Sequence, residues 1–99
     1  MTEHWASGSW QITPGKEEEF VQRWTEFLSW TRENREGFNQ ARLLKDHKDP
    51  QHFVSVAEWE SPEARAGWQN DPGFPERMGA CRALCTDFYG SDYTLAATR

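Results

Sequence analysis

The chain has 99 residues and a formal net charge of −5, which suits one compact domain over residues 1–99 that buries only a modest share of its surface. With no cluster of Lys or Arg, it is a poor match for nucleic acid, whose binding rests on neutralising phosphates, and for an anionic membrane. Six Trp, six Phe and two Tyr are more apolar bulk than a small core hides easily, so a pocket or a subunit interface is expected beside the plainer reading of a Trp-heavy core.

No apolar run approaches the roughly 20 residues of a membrane span. Met1 to Trp10 has neither the basic start nor the apolar stretch of a secretory leader, so a cytoplasmic protein is expected. Cys81 and Cys85 stand four apart in an expected helix, where a disulfide would be strained; reduced thiols fit better.

Trp5 to Thr13 reads as a strand, with Trp10 and Ile12 on one face and Ser9, Gln11 and Thr13 on the other. Thr13-Pro14-Gly15 stops it. Lys16 and then Glu17, Glu18 and Glu19 open a helix, since acids suit the positive end of its dipole. Phe20, Val21, Trp24, Phe27 and Leu28 form one apolar stripe along it, and Gly37 ends it as a left-handed cap would. Phe38 to Asp46 reads as a second strand and His47 to Gln51 as a turn. His52 to Glu60 is a third strand, with Phe53, Ala57 and Trp59 on one face and Val54 and Val56 on the other. Apolar residues on both faces mean that both are covered, one by helices and the other most simply by a second subunit.

Ser61-Pro62-Glu63 is a helix start, with Ser as cap and Pro at the first position. Ala64 and Trp68 share that helix's apolar side. Asp71-Pro72 repeats the signal for a further helix carrying Phe74, Met78, Cys81 and Cys85. Gly90-Ser91-Asp92 reads as a break before a last strand, Tyr93 to Ala97. The order β-α-β-β-α-α-β predicts an α+β, ferredoxin-like fold: an antiparallel sheet with helices on one face. Two such sheets packed face to face across a two-fold axis would close a dimeric α/β barrel.

Three runs carry a family resemblance. The first is Ile12-Thr13-Pro14-Gly15-Lys16-Glu17-Glu18-Glu19-Phe20 with Trp24; the second is Gly37-Phe38 with Ala41-Arg42-Leu43-Leu44-Lys45-Asp46. The third runs from Phe53 through Trp59-Glu60-Ser61-Pro62-Glu63-Ala64 to Trp68. Together they resemble the antibiotic biosynthesis monooxygenase domains over roughly residues 8 to 97. That resemblance implies the ferredoxin-like fold, a homodimer with a shared barrel, and a pocket in each subunit between sheet and helices. Some members of the family are cofactor-free oxygenases of phenols, anthrones or quinols, and others degrade haem.

Haem degradation is not expected. Where haem-degrading relatives carry an axial His, this chain has Arg77, which offers no lone pair. Their first-strand Asn falls near Gly8, and only Trp68 matches. Cofactor-free oxygenation instead needs an apolar pocket, a cation or hydrogen-bond donor near the developing oxyanion, and a base, and Trp68 can stack on a flat ring. Trp68, Arg77 and Asn39 are the candidate catalytic residues, and Trp10, Trp24, Phe27, Trp59, Phe74 and Met78 the candidate pocket. Each has a plainer reading as core, solvated helix surface or turn. His47, His52, Asp46 and Asp49 around the hairpin read as turn residues rather than a metal site.

The sequence therefore points to a homodimeric, monooxygenase-like protein that uses O₂ on a small aromatic or quinol-type molecule, with no cofactor, metal, nucleic acid or membrane. Two alternatives stay open: a non-catalytic ligand-binding or structural homodimer of the same fold, and a cyclase or isomerase, which would turn over without O₂.

Overall fold

The computed structural model describes residues 4–99. Met1 to Glu3, part of the stretch read as free of a secretory leader, lie outside the described residues. The elements run β1 (His4–Ile12), α1 (Glu17–Asn34), β2 (Phe38–Lys45), β3 (His52–Trp59), α2 (Pro62–Gln69), α3 (Phe74–Arg82) and β4 (Cys85–Thr94). The strands form one sheet in the order β2-β3-β1-β4, each neighbour antiparallel to the next. This is the α+β, ferredoxin-like β-α-β-β-α-α-β arrangement the sequence predicts.

Side chains alternate across the sheet, so register decides what meets what. On the face under the helices, Trp10 sits between Phe53 and Phe88, and His4 between Trp59 and Thr94. Trp10, Ile12, Phe53 and Trp59 join Phe20 and Phe27 of α1, Trp68 of α2 and Cys81 of α3 in one buried cluster. The α1 stripe holds except at Val21, which is exposed: Phe20 and Phe27 are buried, while Trp24 and Leu28 pack at the margin. The opposite face carries Trp5, Leu44, Val54, Val56, Tyr89 and Tyr93, of which Leu44, Tyr89 and Tyr93 are exposed. Among the described residues, no helix is long and apolar enough to cross a membrane.

The helix starts show local rules at work. Ser61 Oγ accepts from the Ala64 N–H at 3.0 Å, with Pro62 at the first helical position. The α1 start has no side-chain cap and relies on its three glutamates.

Four expectations need correction. Helix α1 ends at Asn34, and Gly37 instead takes φ +83° in the turn that enters β2, where a Cβ would lie 2.6 Å from Ala64 Cβ. Asp71-Pro72 builds the turn before α3 rather than its first residues: Asp71 accepts from the Gly73 N–H through its side chain and from the Phe74 N–H through its carbonyl. Cys85 is the first residue of β4, not part of a helix. Gly90-Ser91-Asp92 does not break the chain, because β4 runs through it, with Gly90 paired directly to Gly8 across the β1–β4 ladder.

Candidate functional site

Between sheet and helices lies a cavity of about 320 Å³. It exists because two adjacent rows of the helix-facing sheet carry almost no side-chain bulk. One row starts at Leu43 and is bare beyond it, through Ser55–Gly8–Gly90, and the next runs Ala41–Ala57–Ala6 and ends at Asp92. The row Phe53–Trp10–Phe88 bounds this floor on one side and Phe38–Trp59 bounds it on the other. Small residues between aromatic rows leave a depression that the helices roof but do not fill.

The roof is mostly aromatic. Trp24, Phe27 and Leu28 come from α1, Trp68 and Gln69 from α2, and Phe74 and Met78 from α3. Trp68 is the centre of the packing. Its ring stacks on Phe27 at 5.3 Å, meets Trp59 at 5.2 Å, and takes the edge of Phe74 at 4.7 Å. Its Nε1–H donates to Thr31 Oγ1 at 2.9 Å, and the Thr31 hydroxyl donates in turn to the Phe27 carbonyl. The indole is thereby locked as a wall. On the floor, Trp10 Nε1–H donates to Ser55 Oγ at 3.0 Å. A Cβ added to Gly8 would lie 2.7 Å from Trp10 Nε1 and 2.9 Å from Ser55 Oγ, so only glycine leaves this contact intact.

Two charged side chains line the cavity, Arg65 of α2 and Asp92 of β4. Arg65 Nε lies 3.0 Å from Asp92 Oδ1, yet that buried nitrogen forms no hydrogen bond: the pair is ionic without a well-directed N–H. The guanidinium stands 5.8 Å from the Trp68 ring, and its side chain is 14% exposed. Burial lowers the Arg65 pKa from its ordinary value, with Asp92 opposing the shift. His4 Nε2 approaches the same Asp92 oxygen at 3.5 Å.

Of the residues singled out from sequence, Trp10, Trp24, Phe27, Trp68, Phe74 and Met78 come together around this cavity. Three stand elsewhere. Trp59 is fully buried beneath Trp68 and Phe38 in the core. Asn39 is exposed on β2, beside Glu58. Arg77 turns away from the cavity, donating to the Gly73 carbonyl at 2.9 Å and lying 4.4 Å over Trp30, in a shallow groove with Glu26 and Glu76. The cation at the cavity is Arg65, which sequence reasoning missed because a charge beside Ala64 on a short helix looks solvated. Asp92 was hidden inside the supposed break.

The opposite sheet face holds a second polar group. Ser9 Oγ lies 2.8 Å from His52 Nε2, and His52 Nδ1 lies 2.9 Å from Asp46 Oδ2. The order matches a hydrolase relay, but a nucleophile also needs spare donors for the oxyanion. Ser9 sits mid-strand with neighbours paired to β3 on one side and β4 on the other, so the nearby amides are used by the ladder. The trio instead ties the β2–β3 turn to β1. The bond to His52, followed by the Lys48 N–H, holds the Asp46 carboxyl below its ordinary value. Among the described residues, no group of three or more His, Cys, Asp or Glu is arranged to hold a metal.

Comparison with known proteins bears on this arrangement. The family model for antibiotic biosynthesis monooxygenases matches residues 1–77. A point mutant of SnoaB, a cofactor-independent oxygenase from Streptomyces nogalater, superposes with a TM-score of 0.90 at 23% identity, covering 97% of this chain and 95% of that one. A conserved protein from Methanosarcina mazei superposes at 0.84 with 16% identity, covering 94% of this chain and 92% of that one. At such identities the likeness carries the fold alone. No functionally curated protein matches the sequence.

Proposed function

The chain belongs to the antibiotic biosynthesis monooxygenase family, and on that premise we propose that it works as a cofactor-independent, monooxygenase-like homodimer, oxidising a small aromatic or quinol-type molecule with O₂. The observation that carries this reading is the cavity. Its volume of about 320 Å³ stands at the small end of the roughly 300–1,000 Å³ of ligand pockets, and its small-residue floor faces aromatic walls. A flat ring fits between the small-residue floor and Trp68, with Phe74 and Met78 closing over it.

The chemistry asks little of the protein beyond positioning. A deprotonated, electron-rich substrate passes one electron to O₂, and the resulting radical and superoxide combine into a C–O bond. The peroxide takes a proton and loses water, leaving a carbonyl; the product has gained one oxygen and lost two hydrogens, and the second oxygen leaves as water. The walls keep bulk water from the reacting carbon. The likeness to SnoaB, a cofactor-independent oxygenase, supports the same reading.

The homodimer is supported by the unpartnered sheet face, where Leu44 and Tyr89 are 54% and 69% exposed. A cytoplasmic setting suits the free thiols of Cys81 and Cys85.

The test is oxygen uptake by purified, metal-stripped protein with a panel of anthrones and hydroquinones, followed by product mass. Protein-dependent uptake with an oxidised product is the expected result. Turnover that continues without oxygen would replace this reading with a cyclase or isomerase, and binding without turnover would replace it with a ligand carrier.

A further inference from the structure

We propose that Arg65 is an oxyanion-binding residue that selects the cavity's ligand by its acidity: the site takes hydroxylated or enolisable aromatics in their ionised form, with Asp92 holding the guanidinium in place. This rests on the reading of the cavity as an aromatic ligand site and adds the chemical class that it prefers.

A guanidinium carries five N–H groups, and a buried donor without a partner is costly. The Arg65 side chain is 14% exposed, yet its only polar contact among the described residues is the approach of Nε to Asp92, which makes no hydrogen bond. The two terminal nitrogens make no hydrogen bond either and, unlike Nε, are not buried, so they are open to solvent or to a ligand in the cavity that Arg65 lines. An aromatic ligand bearing O⁻ would accept from them with a charge-assisted bond. The ring of that ligand would meet the Trp68 wall, which faces the same guanidinium at 5.8 Å.

Asp92 is what holds the cation at this spot. Its Oδ1 holds Arg65 on one side and approaches His4 on the other. Asp92 is half-exposed, so the hold is moderate and a ligand oxyanion can compete with it. The groups facing Arg65 are thus Asp92 from β4, with His4 of β1 behind it, and Trp68 and Gln69 from its own helix. Among the described residues, no other Lys or Arg lines the cavity.

Two opposite signs follow. Removing the Arg65 charge should abolish the preference for the ionised ligand. Removing the Asp92 charge should strengthen it, because a competing carboxylate is gone. A purely structural ion pair would give the same sign for both.

The experiment uses 4-nitrophenol, whose phenolate absorbs in the visible, and its methyl ether as a probe that cannot ionise. Binding of each is followed by quenching of tryptophan fluorescence, and ionisation of the bound phenol by absorbance at a pH below its own pKa. In the wild type, the bound phenolate-to-phenol ratio should exceed that in buffer by about tenfold, as an opposite charge nearby dictates. Arg65→Gln should return the ratio to that of buffer, Arg65→Lys should keep part of the rise, and Asp92→Asn should raise it further. The ether should bind all variants within about twofold, which also shows that they fold. An unshifted phenol that binds alongside the ether would overturn the assignment of Arg65 while leaving the cavity reading intact, as would a lower phenolate fraction in Asp92→Asn. Failure of both probes to bind would overturn the cavity reading and this inference with it.

Discussion

Trp68 Nε1–H donates to Thr31 Oγ1 at 2.9 Å across the α1–α2 contact, and Thr31 is fully buried. The bond turns the most central cavity aromatic into a fixed wall whose polar edge is already used, so Trp68 serves a ligand by its ring face and not by its N–H. Thr31→Val keeps the shape but leaves the indole N–H buried and unpaired. The expected loss is about 1–3 kcal/mol of stability by denaturant titration, with ligand affinity weakened through a looser ring.

The cavity floor predicts two contrasting substitutions. Gly8→Ala places a Cβ 2.7 Å from Trp10 Nε1 and 3.1 Å from Phe88 Cε1, so a ring must move and the fold should lose roughly 1–3 kcal/mol. Ala57→Leu, in the middle of the alanine row, grows into empty space instead. It should leave the melting temperature close to that of the wild type while abolishing binding of a flat aromatic probe. Equal loss of stability in both variants would mean that the floor is not open.

The sheet face away from the helices predicts the assembly state. Leu44→Glu changes a side chain that is 54% exposed in one subunit, so the single chain tolerates it, but a charge at a closed interface is costly. Sedimentation should show a dimer for the wild type and a monomer of unchanged helical content for the variant. A folded wild-type monomer at micromolar concentration would remove the interface.

The Ser9–His52–Asp46 trio predicts a pH dependence. The Asp46 carboxyl is held below its ordinary value in the folded chain because it accepts from His52 and from the Lys48 N–H. Its contribution is therefore present above the unfolded-state value and is lost as pH falls through the lowered one. Asp46→Asn should be less stable at neutral pH and show a flatter acid limb. An unchanged limb would mean that the turn is not tied in this way.

The parts of the fold that depend on neighbours in sequence were readable. Ser61 before Pro62 sets a cap within three residues, and the α1 stripe needs only helical spacing. What the sequence hid depends on pairing across strands. Gly90-Ser91-Asp92 has the composition of a turn, yet Gly90 lies opposite Gly8 to leave the cavity floor bare, and Asp92 caps the alanine row. Nothing local distinguishes a glycine that bends a chain from one that empties a pocket. The cation shows the same limit. Arg77 and Arg65 both sit near aromatic residues on short helices, but α3 presents Arg77 to Trp30 and α2 presents Arg65 to the cavity. Helix-to-sheet docking decides that, and it is set by Trp68, Trp59 and Phe27 meeting in three dimensions.

The most direct test compares oxygen uptake by the wild type and Ala57→Leu with the same electron-rich aromatic substrate, both metal-stripped and both shown to be folded. Uptake by the wild type with an oxygenated product, and none by the filled variant, is the expected result. Equal uptake by both would place the reaction outside the cavity, and no uptake by the wild type on any anthrone or hydroquinone would contradict oxygenation altogether.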